Sequence, residues 1–521
     1  MGPPSVGRLS RALIAVAVMV VVTSTTAYAF PLNATPRRTH TTKASALDAV
    51  ATFTVAQFNS DIGDEYPNVD VTKVAAAILK SGAQVAGIEE GGASIPELAK
   101  DLAWPYYDVR MQIVSSLPLL DPPGGKGIYT FVEVSPGLVV ALENVHMPSD
   151  HYGPTRVRNG ATPQQVLRSE RRSRLPSIRP SLRAAKELQR QGIPVFLMGD
   201  FNSPSFYDWT PATVGTRPFL RYPLKWPVSE AVVRAGFRDS YRSVYPDPVE
   251  HPGLTWPVYR QLPGWNPTPA TPQDRIDFIY ATSLATPTAS VIVGEPGGPD
   301  ISAVVKPFPS DHREIASTFE VTPVPPPTLV TVPQRLVVVG DDVPVSFHVD
   351  AGTTAQAVGV VPNGGDPSTD AIAQQPTLGA ADGTSTFSSA SWSPGAYQAV
   401  LVDTSGTSLS RFDFWVEAPG TEPSIGTAKA TYAVGEPIDV TWSNAPGLRW
   451  DWVGVYKRGA DPLVAYYLLY VYTHASIDGS TTLDTDSVVG TWPIPPGRYS
   501  VYLLEDDLYV KIAGAAFTVE G

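Results

Sequence analysis

The sequence predicts an α/β domain followed by two β-sandwich modules, and three observations predict it. From Ala51 to about Glu320, strand-like apolar runs alternate with helical ones. A Pro-rich stretch, VTPVPPPTL, then reads as a stiff, extended linker. Beyond it the chain repeats itself: VGDDVPVSF (339–347) returns as VGEPIDVTW (434–442), and VGVVPNGGDP (358–367) as VGVYKRGADP (453–462). SPGAYQAVLVD (393–403) parallels PPGRYSVYLLE (495–505), and FWVE (414–417) parallels FTVE (517–520). Two copies, each of short alternating strands between Pro/Gly turns, make two sandwiches.

Taken in order, residues 1–29 read as a secretory signal. Arg8 and Arg11 form a basic start, ALIAVAVMVVV supplies the apolar stretch, and AYA at 27–29 suits cleavage near Ala29. The apolar run is short for a bilayer span and no second one follows, so the mature chain is expected to be secreted with no transmembrane segment. Residues 30–48, rich in Thr, Arg and Ala, form a flexible leader. The α/β domain spans 49–322. ATFTVAQF is a strand, VTKVAAAILKSG a helix closed by Gly82, and AQVAGIEE a second strand. GLVVALENVHM and PVFLMGDF are further strands, with the helix RPSLRAAKELQRQG between them, and RIDFIYAT is another. The linker occupies 323–330, the first sandwich repeat 331–419 and the second 425–521.

The net charge of −12 belongs to the C-terminal part: from Pro325 onward there are 8 Lys/Arg against 21 Asp/Glu, and before it 30 against 29. Within the α/β part, residues 156–190 concentrate ten basic residues against two acidic ones, a solvated helix face or a stripe that steers an anionic substrate. The absence of cysteine excludes disulfides, thiolate catalysis and Cys-ligated zinc.

Several strand ends carry polar residues that a structural sheet does not need. They are Asn59 in TVAQFNSD, Glu90 in VAGIEEGG, His146 in ENVHMP, Asp200 and Asn202 in GDFNSP, and Asp311 and His312 in PSDHRE; Asp277 sits inside RIDFIY. Singly, each has an ordinary explanation: a turn former, a helix cap, a structural hydrogen-bonder, or for Asp277 a partner of Arg275. As a set they are the inventory for metal-assisted attack on phosphate. Hard oxygen ligands suit Mg²⁺, with Mn²⁺ or Ca²⁺ as alternatives, while a carboxylate orients water and histidines neutralise or protonate phosphate oxygens.

The ordered succession FNSD, IEE, NVHM, GDFNSP, RIDFIY and SDHRE resembles the endonuclease/exonuclease/phosphatase (DNase I-like) superfamily of metal-dependent phosphoesterases, over roughly residues 50–320. The resemblance implies a four-layered α/β sandwich with the site at one end of two facing sheets. It implies Glu90 as principal metal ligand with Asn59 beside it, and Asp311 completing the shell. Asp200 would orient or deprotonate the attacking water, steadied by Asn202. His312 would contact the phosphate with Asp277 fixing its ring, and His146 would face the leaving group. Glu89 stands where the family usually has Gln, and competes with Glu90; adjacent strand residues face opposite sides, so one of them reaches the metal.

His151, Tyr152, Arg156 and Arg158 could line the mouth of the site, or form an ordinary polar loop. Aromatics in FLRYPLKWP and LTWPVYRQLPGW could build a substrate wall, or simply pack. The second repeat carries a dense aromatic band, WDWVGVYKRG with AYYLLYVYTH, expected mostly in its core and sheet faces. WDWVGVY is similar to SKICH-type immunoglobulin-like modules, which implies a partner-binding or spacer role with an unknown ligand. The expected function is a secreted phosphoesterase, foremost a phosphodiesterase, with nucleic acid, phospholipid head group or small phosphate ester as substrate. The competing expectation is a non-catalytic extracellular binding or adhesion protein that retains a retired phosphoesterase domain.

Overall fold

A computed structural model describes residues 50–62, 70–258, 268, 271–485, 487–506 and 509–521. The expected signal segment and the leader lie outside the described residues. No helix among the described residues is long and apolar enough to cross a membrane.

Two sheets dominate the α/β domain. The first, of seven strands, runs Ile301–Val304, Ala285–Gly294, Glu314–Val321, Ala51–Asn59, Val85–Glu89, Ile113–Ser115 and Tyr106–Asp108 from edge to edge. The second, of six strands, runs Leu119–Leu120, Thr130–Ser135, Leu138–His146, Val195–Asp200, Asp277–Ala281 and Arg238–Asp239. Alternation along each strand feeds two different cores. Phe53 and Val55 meet Phe196, Met198, Ile279 and Phe319 between the sheets. Ala56 and Phe58 point the other way, onto Val74 and Ile78 of helix Val71–Ser81 and Leu98 of helix Ile95–Asp101. Val195 and Leu197 likewise face Ile178, Ala185 and Leu188 of helix Arg174–Arg190. Helix, sheet, sheet, helix: the four layers follow. Because both faces of Val195–Asp200 are covered, all six of its residues are buried.

Local signals hold where they were read. Helix Val71–Ser81 starts at Asp70, whose side chain accepts from the Thr72 amide at 3.1 Å, and ends at Gly82 in the left-handed conformation, φ 74°.

Each repeat is a pair of sheets over its own core. The first packs Leu329–Thr331, Asp342–His348 and Asp382–Ser388 against a five-stranded sheet. The second packs Ser424–Thr427, Ile438–Ser443 and Gly479–Leu483 against a six-stranded one. In both, a tyrosine hydroxyl reaches back four residues to a carbonyl at 2.7 Å, Tyr397 to Ser393 and Tyr499 to Pro495. The duplication read in the sequence is therefore a duplication of structure.

The repeats are docked, and the Pro-rich connection runs along the α/β domain. Val324 pairs with Val139, and Leu329 enters the core behind the second sheet. Arg335 of the first repeat reaches Asp121 at 3.2 Å. From the second repeat, the Arg449 guanidinium donates to the Ile128 carbonyl at 3.0 Å, and Trp450 is buried in the α/β core beside Tyr129 and Phe131. Gln112 donates to Asp506 at 3.1 Å.

Glu314 opens the strand next to Ala51–Asn59 and is fully buried; the nearby Ser81 hydroxyl is committed to the Ile78 carbonyl. Burial pushes its carboxyl up to about 8. Since the folded value lies above the unfolded one, this residue favours folding fully below about pH 4.5 and loses that contribution as pH rises towards 8. Glu314→Gln should flatten the fall in unfolding free energy between pH 5 and 8, by up to about 1.4 kcal/mol per pH unit, measured by denaturant unfolding at several pH values.

Candidate active site

Strand register, before any side-chain detail, assembles the site. His146 pairs with Asp200, which pairs on its other side with Asp277, so three polar residues stand in one row at the end of the second sheet. Asn59 pairs with Glu89 at the same end of the first. The chain passes the row at Gly199, φ 142°, where a Cβ would sit 1.8 Å from the Val145 carbonyl oxygen, so only glycine can precede Asp200.

The Asp200 carboxylate is the hub. Its Oδ2 accepts from Asn59 Nδ2 at 3.2 Å and from Asn202 Nδ2 at 3.1 Å. The same oxygen lies 3.6 Å from His146 Nε2 and 3.7 Å from His312 Nε2. Its Oδ1 accepts from the Asn202 amide at 2.7 Å, a turn that holds Asn202 at φ 46°. Burial pushes the Asp200 carboxyl up, partly opposed by the His312 charge.

His312 is positioned from behind. Asp277 Oδ2 lies 2.9 Å from its Nδ1, and Gln57 Nε2 donates to the other Asp277 oxygen at 2.9 Å. Asp277 thus stands where it was expected, against the His312 ring, and not in the ordinary alternative role beside Arg275, which pairs with Asp208 and Asp239. Burial alone would drive the His312 ring neutral, but the Asp277, Asp200 and Asp311 carboxylates together outweigh it and hold its pKa well above the usual range.

The two adjacent glutamates separate by backbone conformation. Glu89 ends its strand fully buried, bonded to Gln57 Nε2, and burial holds its carboxyl up to about 8. Glu90 follows at φ 56° and swings into the open, its side chain 25% exposed and 3.7 Å from His146 Nε2. Asn59 Nδ2 donates to it at 3.1 Å. Asp311 accepts from Trp256 Nε1 at 3.0 Å and lines the same cleft.

That cleft, of about 260 Å³, brings together Glu90, His146, Asp200, Asn202, Asp311 and His312. Asn59 and Asp277 stand directly behind it. His151, Tyr152 and Arg156 are not part of its lining. Tyr152 packs edge-on against Trp256 with its hydroxyl on Asp274 at 3.3 Å, so it supports the wall from outside. Part of the basic stretch is also internal: buried Arg174 pairs with Glu170 at 2.8 Å and donates to the Ser149 and Asp150 carbonyls, fixing the loop after His146. Of the aromatic segments, Phe219, Leu224 and Trp226 pack with Trp209, while Trp256 does line the cleft; residues 259–265 lie outside the described residues. Sequence reasoning missed Gln57, whose only signal was a polar residue inside a strand, and Asp61, which also lines the cleft.

Residues 56–312 match the endonuclease/exonuclease/phosphatase family. That match lies within the α/β domain and takes in nearly all of it. A Caenorhabditis elegans protein described as "Uncharacterized protein F14F9.5" is 31% identical over 158 residues, 29% of this chain and 50% of that one, so the chain spans about half the length of the curated relative it matches. Among solved structures, an endonuclease/exonuclease/phosphatase from Beutenbergia cavernae aligns at 15% identity, covering 70% of this chain and all of that one, TM-score 0.33. An AP endonuclease from Leishmania major aligns at 14%, covering 52% and 88%, TM-score 0.32. Fibronectin(III)-like modules of Clostridium thermocellum CbhA align at 17%, covering 37% and 93%, TM-score 0.15.

Family members work with divalent metal ions, and the donors of this site fit one. Glu90, Asp200 and Asp311 supply hard oxygens, and the buried Asn59 Oδ1 has no hydrogen-bond partner. Asp200, Asp277 and His312 also bring ligand-capable atoms within 4.8 Å of one another. Their closeness already has a cause in the His312–Asp277 hydrogen bond, which leaves Glu90, with Asn59 and Asp311, as the better-suited ligand group. In metal-free protein the His312 ring should titrate well above about 6.5, and Asp277→Asn should move it down, since burial then meets less opposing charge. Long-range ¹H–¹⁵N NMR titration of the imidazoles measures this; an unmoved His312 would contradict the assignment.

Proposed function

We propose that this protein is an exported, divalent-metal-dependent phosphoesterase that cleaves phosphodiesters by attack of water on phosphorus. The observation that carries the reading is the Asp200 Oδ2 oxygen, ringed by Asn59, Asn202, His146 and His312 at the floor of an open cleft. Export rests on the first 29 residues and on the absence of cysteine from the sequence.

The roles follow from chemistry and position. A divalent ion held by Glu90, with Asn59 and Asp311, would offset phosphate charge and polarise the bond to be broken. Asp200, its carboxyl raised by burial, accepts the proton of the attacking water, while the Asn202 amide orients that water. His312, held protonated by Asp277, donates to a non-bridging phosphate oxygen as charge builds there. His146, on the Glu90 side of the cleft, faces the departing oxygen. Little covalent chemistry is asked of the protein; positioning and fixed charge do most of it.

Purified mature protein should hydrolyse bis(4-nitrophenyl) phosphate with Mg²⁺ or Mn²⁺, and EDTA should abolish the activity. Asp200→Asn and His312→Ala should each lower kcat by about 100-fold or more without shifting Tm by more than a few degrees. Turnover of no phosphate ester with any divalent ion, or full activity in both variants, would remove this reading.

A further inference from the structure

The aromatic band of the second repeat was expected in that module's core and on its sheet faces. On one sheet face it also meets the catalytic cleft: Trp452, Tyr467, Tyr470 and Tyr472, joined by Tyr509, line the same cavity as Glu90, Asp200 and His312. Resting on the phosphoesterase reading above, we infer that the second β-sandwich is a structural part of the active site. Its rings form the wall that binds the organic group of a compact phosphodiester, a group with an apolar face and no negative charge.

The wall is rigid and pre-formed. Trp452 packs edge-to-face with Tyr467, Tyr470 and Tyr509 at centroid distances of 5.7, 5.8 and 5.6 Å. Trp452 and Tyr470 are buried and back the wall, while Tyr467, Tyr472 and Tyr509 are half-buried and give it its exposed surface. It is also tied to the catalytic side. The Tyr466 and Tyr467 hydroxyls donate to the two oxygens of Asp150, at 2.7 and 2.8 Å, and Asp150 lies four residues beyond His146. The Arg449–Trp450 loop that leads into the strand bearing Trp452 is anchored in the α/β domain, and Trp450 stands edge-on to the His146 ring at 6.3 Å. One loop thus fixes the module, backs a catalytic histidine and presents the wall.

Size and charge select the ligand class. At about 260 Å³ the cleft falls at the lower end of small-molecule sites, which run roughly 300–1,000 Å³. Its described lining includes the carboxylates of Asp61, Glu90, Asp200 and Asp311 and not one Lys or Arg. A nucleic-acid strand, with a charge at every residue, calls for a basic track along its path. Here the single reacting phosphate would meet positive charge at His312 and from the cation that Glu90, Asn59 and Asp311 would hold, while tyrosine and tryptophan surfaces receive what flanks it. Such surfaces accept either a flat apolar group or an organic cation.

The experiment compares full-length wild type with Tyr509→Ala and Tyr472→Ala, each beside its Tyr→Phe counterpart. The substrates are bis(4-nitrophenyl) phosphate, methyl 4-nitrophenyl phosphate, the 4-nitrophenyl ester of phosphocholine and supercoiled plasmid. The alanine variants should raise KM for the bulkier small esters by about tenfold with kcat changed far less, and the phenylalanine variants should restore it. Without any variant, wild type should favour the diaryl or the choline ester over the methyl ester by about tenfold in kcat/KM, and the better of the two identifies the flanking group as flat or cationic. Wild-type activity with both alanine variants at wild-type KM, no preference over the methyl ester, or plasmid as the best substrate would overturn this inference and leave the phosphoesterase reading standing. A wild type inactive on every ester would remove both.

Discussion

A charged carboxylate at the end of a fully buried strand is unstable unless other polar groups meet it there, and the placement of Asp200 organises the molecule around that requirement. Two carboxamides and two imidazoles from four different segments converge on one of its oxygens. Two sheets must therefore end at the same level, with their strands in the register observed. Gly199 lets the chain approach its neighbour closely enough for this, and the apolar layer between the sheets sets the distance that Asn59 spans to reach the second sheet.

The same requirement explains a hidden tier of residues. Gln57 joins Glu89 to Asp277, and Asp277 joins Gln57 to His312, so an uninterrupted chain of hydrogen bonds runs beneath the floor. Linked end to end in this way, the members of a buried polar chain hold one another in single rotamers. The orientation of His312 is thus fixed by groups that never meet a substrate, which is how preorganised charge avoids reorganising during reaction.

Much of this was legible in the sequence because it is local. Apolar runs ending in Asp or His mark strand ends, Gly82 marks a helix end, and the repeats declare themselves by offset. The cluster Asn59, Glu90, His146, Asp200, Asn202, Asp277 and His312 was legible as an ordered set. The choice between Glu89 and Glu90 depended on a positive φ that sequence does not announce in a non-glycine residue. His151, Tyr152 and Arg156 follow His146 closely in the chain, yet none lines the cleft: Tyr152 packs behind Trp256 and Arg156 lies in the helix that begins at Gly153. The second repeat posed the opposite question. Aromatic residues at strand spacing look alike whether they face a module's own core or a neighbour's cavity, and only the docking of Arg449 and Trp450 decides between them.

The two repeats share one strand plan, but where the second copy has the strand Leu469–Tyr472, reading LYVY, the first has Ala373–Pro376, reading AQQP. The duplication has divided its labour. Arg335 of the first copy and Arg449 of the second meet one patch of the α/β domain: Arg335 pairs with Asp121, Asp121 with Arg110, and the Arg110 carbonyl accepts from the Arg449 amide. Both copies thus share one seat, and loosening it at Arg110 or Asp121 would shift the far wall of the cleft while leaving every chemical group on the floor in place.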